Sequence, residues 1–399
     1  MKGGAKVSFA ALLGFAVLLL VPSFDIVLKY TGIAGLVAYF LLGTAGLYIC
    51  YIYVAPGFIS RVNERWANIL AIGVCLILIA IAAIGYPLAN SGRFGGGSDI
   101  DDAMIIGATE ILRGRYPYYQ VTYLGGMLSP MPGTLILSIP FVAAGLLPYQ
   151  NVAWLAALYF TARGLIKSGV IALGAILMIL VISPTFYQVL VTGSDHITNS
   201  IYVIIGMWLT VRYVSRAESS WWQKLLPVLL LGFGLSSRSN FLLLLPLFFS
   251  IMVQNAGWRE AIKYVLIALA VFAAVTVPFY LYDPAGFTPL IVQSHKVNVL
   301  EEVLPHAGIL IPGSTLLLSA ALAFTRMTKD CAAFFRNCAI VQLYALVVTS
   351  ILFAIQWGQF TLFMGTAGYG MFTLFFASLS VWIILQKQHD NSVQTLSLS

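Results

Sequence analysis

Charge is scarce in this sequence. Asp, Glu, Lys and Arg make up 9% of its 399 residues, 60% are hydrophobic, and the mean hydropathy is +0.94. That balance excludes a soluble enzyme, a disordered regulator and a fibrous protein, each of which needs more polar surface than this chain can supply. Cysteine is scarce too: Cys50 and Cys75 lie inside apolar runs, and Cys331 and Cys338 flank a basic stretch. Neither a disulfide framework nor a zinc-ligand spacing is present. No internal repeat, heptad array or low-complexity tract is evident, so the chain reads as one integral domain, 1–399.

What is present is a succession of apolar runs. A helix crosses a bilayer with ~20 apolar residues, and shorter or Pro-broken segments are tolerated when other helices enclose them. On that rule, spans fall at about 8–24, 31–54, 67–86, 168–183, 197–214, 264–282, 313–326, 338–356 and 362–385. The region 225–254 holds two shorter helices broken by Ser236-Ser237-Arg238-Ser239-Asn240. The stretch 132–165, interrupted at Pro140 and Pro148, is either one crossing with a re-entrant half or two short crossings. The expected fold is therefore all-α, a polytopic transmembrane helical protein of about twelve spans.

The net charge of +7 would point to nucleic acid in a soluble protein, but here the basic residues stand singly between apolar runs and read as topology signals. Lys2 and Lys6 precede the first run as in a signal peptide. No small-residue cleavage site follows at Val21-Pro22-Ser23-Phe24-Asp25, so a retained helix is expected, and residues 1–66 form two N-terminal spans. With the N-terminus placed in the cytoplasm, only Lys29, Arg93, Arg113, Arg115, Arg238 and Lys296 fall outside, leaving 15 of the 21 Lys and Arg inside. The polar tail 387–399 is then cytoplasmic. Nine of the 14 acids fall outside: Asp25, Asp99, Asp101, Asp102, Glu110, Asp195, Asp283, Glu301 and Glu302. Two outer loops, 87–131 and 283–312, are long enough to build a site.

Residues 95–119, GGGSDIDDAMIIGATEILRGRYPYY, are the most informative. Three glycines let the backbone turn, Ser98 can cap a helix, and Ile100, Met104, Gly107 and Ile111 give that helix an apolar stripe. Asp102, Thr109 and Arg113 fall opposite, with Asp101 at the boundary, so the helix is expected to lie on the membrane surface. The bland alternative is capping: Ser98 and Asp101 make an S-x-x-D box, and acids in a first turn each add about 0.3–1 kcal/mol against the helix dipole. Three acids exceed what a cap needs, and clustered carboxylates repel unless something occupies the site.

This stretch resembles the GT-C superfamily of integral-membrane glycosyltransferases, in particular its bacterial mannosyltransferase-like members. There an Asp in the first large extracytoplasmic loop begins a surface helix patterned D, A seven residues on, apolar pairs, then G-x-x-P-Y. Asp101, Ala108, Ile111, Leu112, Gly114, Pro117 and Tyr118 occupy those positions, and Tyr123…Pro130-Met131-Pro132 leads into the next span. The resemblance covers about residues 95–140. It departs at Ile105, where an aromatic is common, and in the two long helices that precede the loop.

The resemblance implies a GT-C-like fold with extracytoplasmic surface helices in a bacterial inner membrane. It further implies a polyprenyl-phosphate-linked sugar donor, a glycolipid or glycan acceptor, membrane lipid as partner and no nucleic acid. Asp101 would be the catalytic base, with Asp99 and Asp102 able to share or replace that role. Some relatives need a divalent cation and others do not; no metal-ligand set is identified. A lipid or sugar transporter or flippase is the competing class. Against it, no repeat is visible and no carboxylate lies near the middle of a span.

Such a transfer needs a base for the acceptor hydroxyl and cations or helix ends for the departing phosphate. Arg238 interrupts an apolar hairpin at membrane depth, so it contacts either a phosphate or an ionic partner, for instance Asp195. Arg113 and Arg115 are further outer cations. His295 and Lys296 are either a lid over the site or solvated loop charges. Asp195 and His196 read as a helix start, with substrate contact the sharper alternative. Tyr118 and Tyr123 are either interfacial belt residues or platforms for a sugar ring.

Overall fold

The computed structural model describes residues 9–91, 93, 98–324, 330–358 and 368–397, with side chains up to residue 390. It is helical: α1 Phe9–Leu20, α2 Phe24–Ile49, α3 Ala55–Arg61, α4 Glu64–Ala89, α5 Ile100–Leu112, α6 Pro132–Ala143, α7 Gln150–Ile166, α8 Gly169–Ile182, α9 Pro184–Val191, α10 His196–Val214, α11 Trp221–Leu235, α12 Leu245–Ala256, α13 Trp258–Tyr282, α14 Thr288–Glu301, α15 Ala307–Phe324, α16 Cys331–Trp357 and α17 Met371–Ser397. An isolated antiparallel bridge pairs Val121 with Met127.

Among the described residues, eight segments are long and apolar enough to cross a membrane, and ten if each of two bent pairs is one span. The first runs from Phe9 to Arg61 and is not straight. Gly32 takes φ +68°, ψ −172°, a left-handed turn that a residue with a Cβ resists. The chain reverses there, since Phe24 meets Tyr39 and Phe40 edge-on at 6.4 and 5.8 Å, and Leu20 lies against Gly43. The turn therefore comes later than the break expected near residues 25–30. Asp25, placed at the outer surface by sequence, is instead buried about two helical turns below it (6% exposed).

The two bent pairs have different causes: Gly145, at φ +68°, ends α6, and Pro184 starts α9. Pro132–Ala143 meets Leu147–Ile166 at 116°, and at 12 residues α6 reaches only ~18 Å, short of a bilayer. Gly169–Ile182 meets Pro184–Val191 at 90°, where Ser183 caps α9 by accepting from Phe186 N and Pro184 supplies the first helical residue.

Burial divides the helices into two kinds. The apolar windows of α10 and α17 are 83% buried, against 22% for α4, α13 and α15. α10 and α17 are thus enclosed on all sides, whereas α4 presents Ile69, Ile72, Leu76 and Ile77 outward as a lipid-facing helix does. α10 carries buried polar groups, and its Thr198, Ser200 and Thr210 hydroxyls donate to the carbonyls of Asp195, His196 and Gly206.

The two ends of the bundle differ in charge. At one end Arg163 lies 3.5 Å from Glu64, which also accepts from Gly169 N, and Lys387 pairs with Asp330 at 2.6 Å. At the other, the two long loops interlock. Tyr116 donates to the Phe279 carbonyl and Thr288 donates to the Leu128 carbonyl, above a cluster of Ala103, Tyr118, Leu128, Leu135 and Phe287. The second loop is shorter than the 283–312 expected, because α14 fills its first half and α15 begins at Ala307.

Candidate functional site

α5 begins where the sequence places it, but the cap differs from the expected Ser98–Asp101 box. Asp99 is the N-cap residue, and the Ser98 hydroxyl accepts from Ile100 N. The three acids then diverge. Asp99 accepts from the Thr122 hydroxyl at 2.8 Å and Asp102 from Tyr123 N at 2.8 Å, so both carboxylates hold the returning strand of the loop. Asp101 alone turns toward the bundle. It is 4% exposed, and its Oδ2 accepts from the Tyr86 hydroxyl at 2.8 Å and from Asn90 Nδ2 at 3.1 Å. Its Oδ1 is buried and has no hydrogen-bond partner. Burial raises the Asp101 pKa above the ordinary carboxylate value, partly offset by the Tyr86 and Asn90 hydrogen bonds.

Asp101 sits over the α9–α10 junction, where a Cβ added to Gly193 would come within 3.3 Å of the Asp101 Cβ. Two residues further on lies a second polar group. Asp195 is fully buried and accepts from Arg238 Nη2 through both oxygens, at 2.7 and 2.8 Å. Asn199 Nδ2 donates to its Oδ2 at 2.8 Å, and the Thr134 hydroxyl lies 3.1 Å from Asn199 Oδ1. His196 Nδ1 is 2.6 Å from the Ser194 hydroxyl, its ring stacks on Phe372, and its Nε2 is buried without a partner. Arg238 lies over the Tyr369 ring at 5.7 Å, and its Nε is also unpartnered.

Of the two roles left open for Arg238, the structure shows the ion pair. It also overturns the expectation that the acids keep to the outer surface, since Asp195 has no exposure. The reason is local: the breaks at α9–α10 and before Ser239 bring the two side chains together inside the bundle, where each charge is tolerated because the other, with Asn199 and Tyr369, partners it.

The remaining candidates separate in space. Arg113 and Arg115, with side chains 61% and 57% exposed, both pair with the buried Glu110, at 3.3 and 2.5 Å. Sequence gave no reason to single out Glu110, which the Arg115 hydrogen bond holds below the usual Glu range. Tyr118 is 2% exposed, donates to the Pro130 carbonyl and is ringed by Tyr116, Phe279 and Phe287. It is a core residue and presents no face to a sugar. Tyr123 is exposed. His295 and Lys296 lie on the exposed side of α14.

Tyr86 and Asn90 were not anticipated, because both close a span that reads as purely hydrophobic; two polar groups one turn apart in its last turn were the available signal. Among the described residues no group of three or more His, Cys, Asp or Glu is placed to hold a metal ion. No family model matches the chain, and no curated protein or solved structure matches it.

Proposed function

We propose that the chain is an inverting glycosyltransferase of the GT-C type that moves a hexosyl or pentosyl group from a polyprenyl-phosphate donor to a lipid- or glycan-linked acceptor. The supporting observation is Asp101: a buried carboxylate with one oxygen fixed by Tyr86 and Asn90 and the other without a hydrogen-bond partner. In this reading Oδ1 takes the acceptor hydroxyl proton as that oxygen attacks the anomeric carbon. The bond to phosphate breaks on the opposite face, polyprenyl phosphate leaves, and the configuration inverts. A carboxylate whose pKa is raised by burial is a stronger base at neutral pH than an exposed one.

The membrane placement that goes with this reading puts the acidic end outside a bacterial inner membrane and both termini in the cytoplasm. Counting the two limbs of the Gly32 hairpin separately, each bent pair once and the short α11 as a crossing gives twelve passes.

The test is to incubate purified protein with a panel of polyprenyl-phosphate sugars and acceptor lipids and follow donor consumption by mass spectrometry. Wild type should consume at least one donor, and Asp101→Asn should lose about 10²-fold in rate. One observation favours a second reading, a transporter or flippase: broken helices bring the buried Asp195–Arg238 pair together inside the bundle. In proteoliposomes that reading predicts a donor moved between leaflets but chemically unchanged.

A further inference from the structure

We propose that the hairpin 121–127 is a membrane-interface finger, seated in lipid at the acidic end of the bundle, and that Asp99 and Asp102 serve to hold it there. The hairpin closes through the Val121–Met127 bridge and the Thr122 N to Gly126 O hydrogen bond. Its exposed side chains are nearly all apolar or aromatic: Val121 57%, Tyr123 60%, Leu124 57% and Met127 45% exposed. A loop outside the spans that faced only water would carry polar residues there, and a contiguous apolar tip of this kind marks a binding surface.

The partner is fixed by continuity with the lipid-facing surface of the bundle. Tyr119, at the root of the hairpin, packs on Tyr116 at 4.8 Å, and Tyr116 stacks on Tyr282 at 4.8 Å. Tyr282 and its neighbour Leu281 end α13, one of the crossing helices, and are 69% and 66% exposed. A row of tyrosine rings thus runs from the exposed flank of a span to the hairpin. Tyrosine, apolar body inward and hydroxyl in the headgroups, is the residue enriched at that depth. Arg113 and Arg115 stand at the other end of α5, side chains exposed, within the same acidic-end loop, where they suit anionic headgroups.

The carboxylates explain why the tip stays in place. Asp99 takes the Thr122 hydroxyl, which itself accepts from Gly126 N, and Asp102 takes Tyr123 N. Next in the chain after Met127, Leu128 is wholly buried in the cluster beneath. The finger is therefore clamped at both flanks beside Asp101, where a lipid-borne substrate would pass. This inference needs no enzymatic activity to be correct.

Nitroxide labels placed singly at positions 123, 124 and, as a water-exposed reference, 218 read the environment directly. The background replaces Cys50, Cys75, Cys331 and Cys338 by Ala, and the protein sits in nanodiscs of phosphatidylethanolamine and phosphatidylglycerol. Collision with oxygen should exceed collision with a water-soluble nickel chelate at 123 and 124, and the order should reverse at 218. Adding Asp102→Ala or Asp99→Ala should reduce the oxygen preference at 124 while 218 is unchanged. Nickel collision exceeding oxygen at both hairpin positions would overturn the proposal. So would spin–spin broadening at 123 and 124 that disappears on dilution with unlabelled protein, which would mean that a second copy covers the tip. An unchanged oxygen preference in both Asp variants would remove the clamp role.

Discussion

Arg238 Nη2 lies 2.7 and 2.8 Å from the two oxygens of Asp195, which is fully buried, while Arg238 itself is 8% exposed. The two are 43 residues apart and come from different helix breaks. Removing one member of such a pair leaves an uncompensated buried charge, at a cost of about 3–5 kcal/mol, whereas removing both is far milder. Arg238→Ala and Asp195→Ala should each lower the melting temperature of detergent-solubilised protein, and the double variant should recover part of the loss. If Arg238→Ala is as stable as wild type and its only defect is weakened donor binding, the pair is not structural and Arg238 belongs to the donor site.

Asp101 carries a sign that can be checked without any substrate. Its pKa is raised by burial, so the folded protein holds the proton more tightly than the unfolded chain. Ionised Asp101 therefore opposes folding above its folded pKa, and that penalty disappears as pH falls below the unfolded Asp value of about 3.9. Asp101→Asn should raise the melting temperature at neutral and alkaline pH and give no gain near pH 3. A variant that melts below wild type at pH 8 would contradict this.

Tyr86→Phe tests the same carboxylate from its partner. Losing a donor to the ionised form pushes the Asp101 pKa further up, so the acid limb of the pH–rate profile should move to higher pH. Asn90→Ala should shift it the same way, by less, because its contact is longer. A uniform loss of rate with an unmoved profile would mean that Tyr86 only supports the fold.

The helices, α5 among them, were legible because apolar runs and a 3.6-residue stripe depend on local sequence alone. The fate of the three acids was not: their spacing puts them on one turn, but only the return of Thr122 and Tyr123 takes Asp99 and Asp102 away from Asp101. The same limit hid the Asp195–Arg238 pair, which is made by the packing of distant breaks. Gly32 was missed for another reason. One glycine in a long apolar run carries no hydropathy signal, although its φ decides where the first hairpin turns.

Gly133 marks a tight approach that can be probed sterically. A Cβ there would stand 2.7 Å from the Ser236 carbonyl carbon and 2.8 Å from Ser237 N, against backbone that cannot swing aside. Gly133 N also donates to Ser236, at 3.1 Å to its hydroxyl. Gly133→Ala should destabilise by about 3 kcal/mol or more, at the upper end of overpacking costs, and so sharply reduce folded yield. Gly164→Ala, with nothing within 4 Å of its added Cβ, is the matched control and should be close to neutral. Equal stability of the two variants would mean that α6 does not rest on the end of α11 as described.

The proposed orientation rests on the distribution of basic residues and can be tested by labelling from each side. Positions 120, 220 and 298 suit single cysteines, since all three are exposed. In a cysteine-free background on intact cells, a membrane-impermeant maleimide should react at 120 and 298. Position 220, in the turn before α11 near Arg216 and Lys224, should react only after permeabilisation. Reaction at 220 and protection at 120 would invert the protein. Asp101 would then face the cytoplasm, where sugar donors are nucleotide-linked, and the polyprenyl-phosphate reading would have to be abandoned even if the carboxylate chemistry survived.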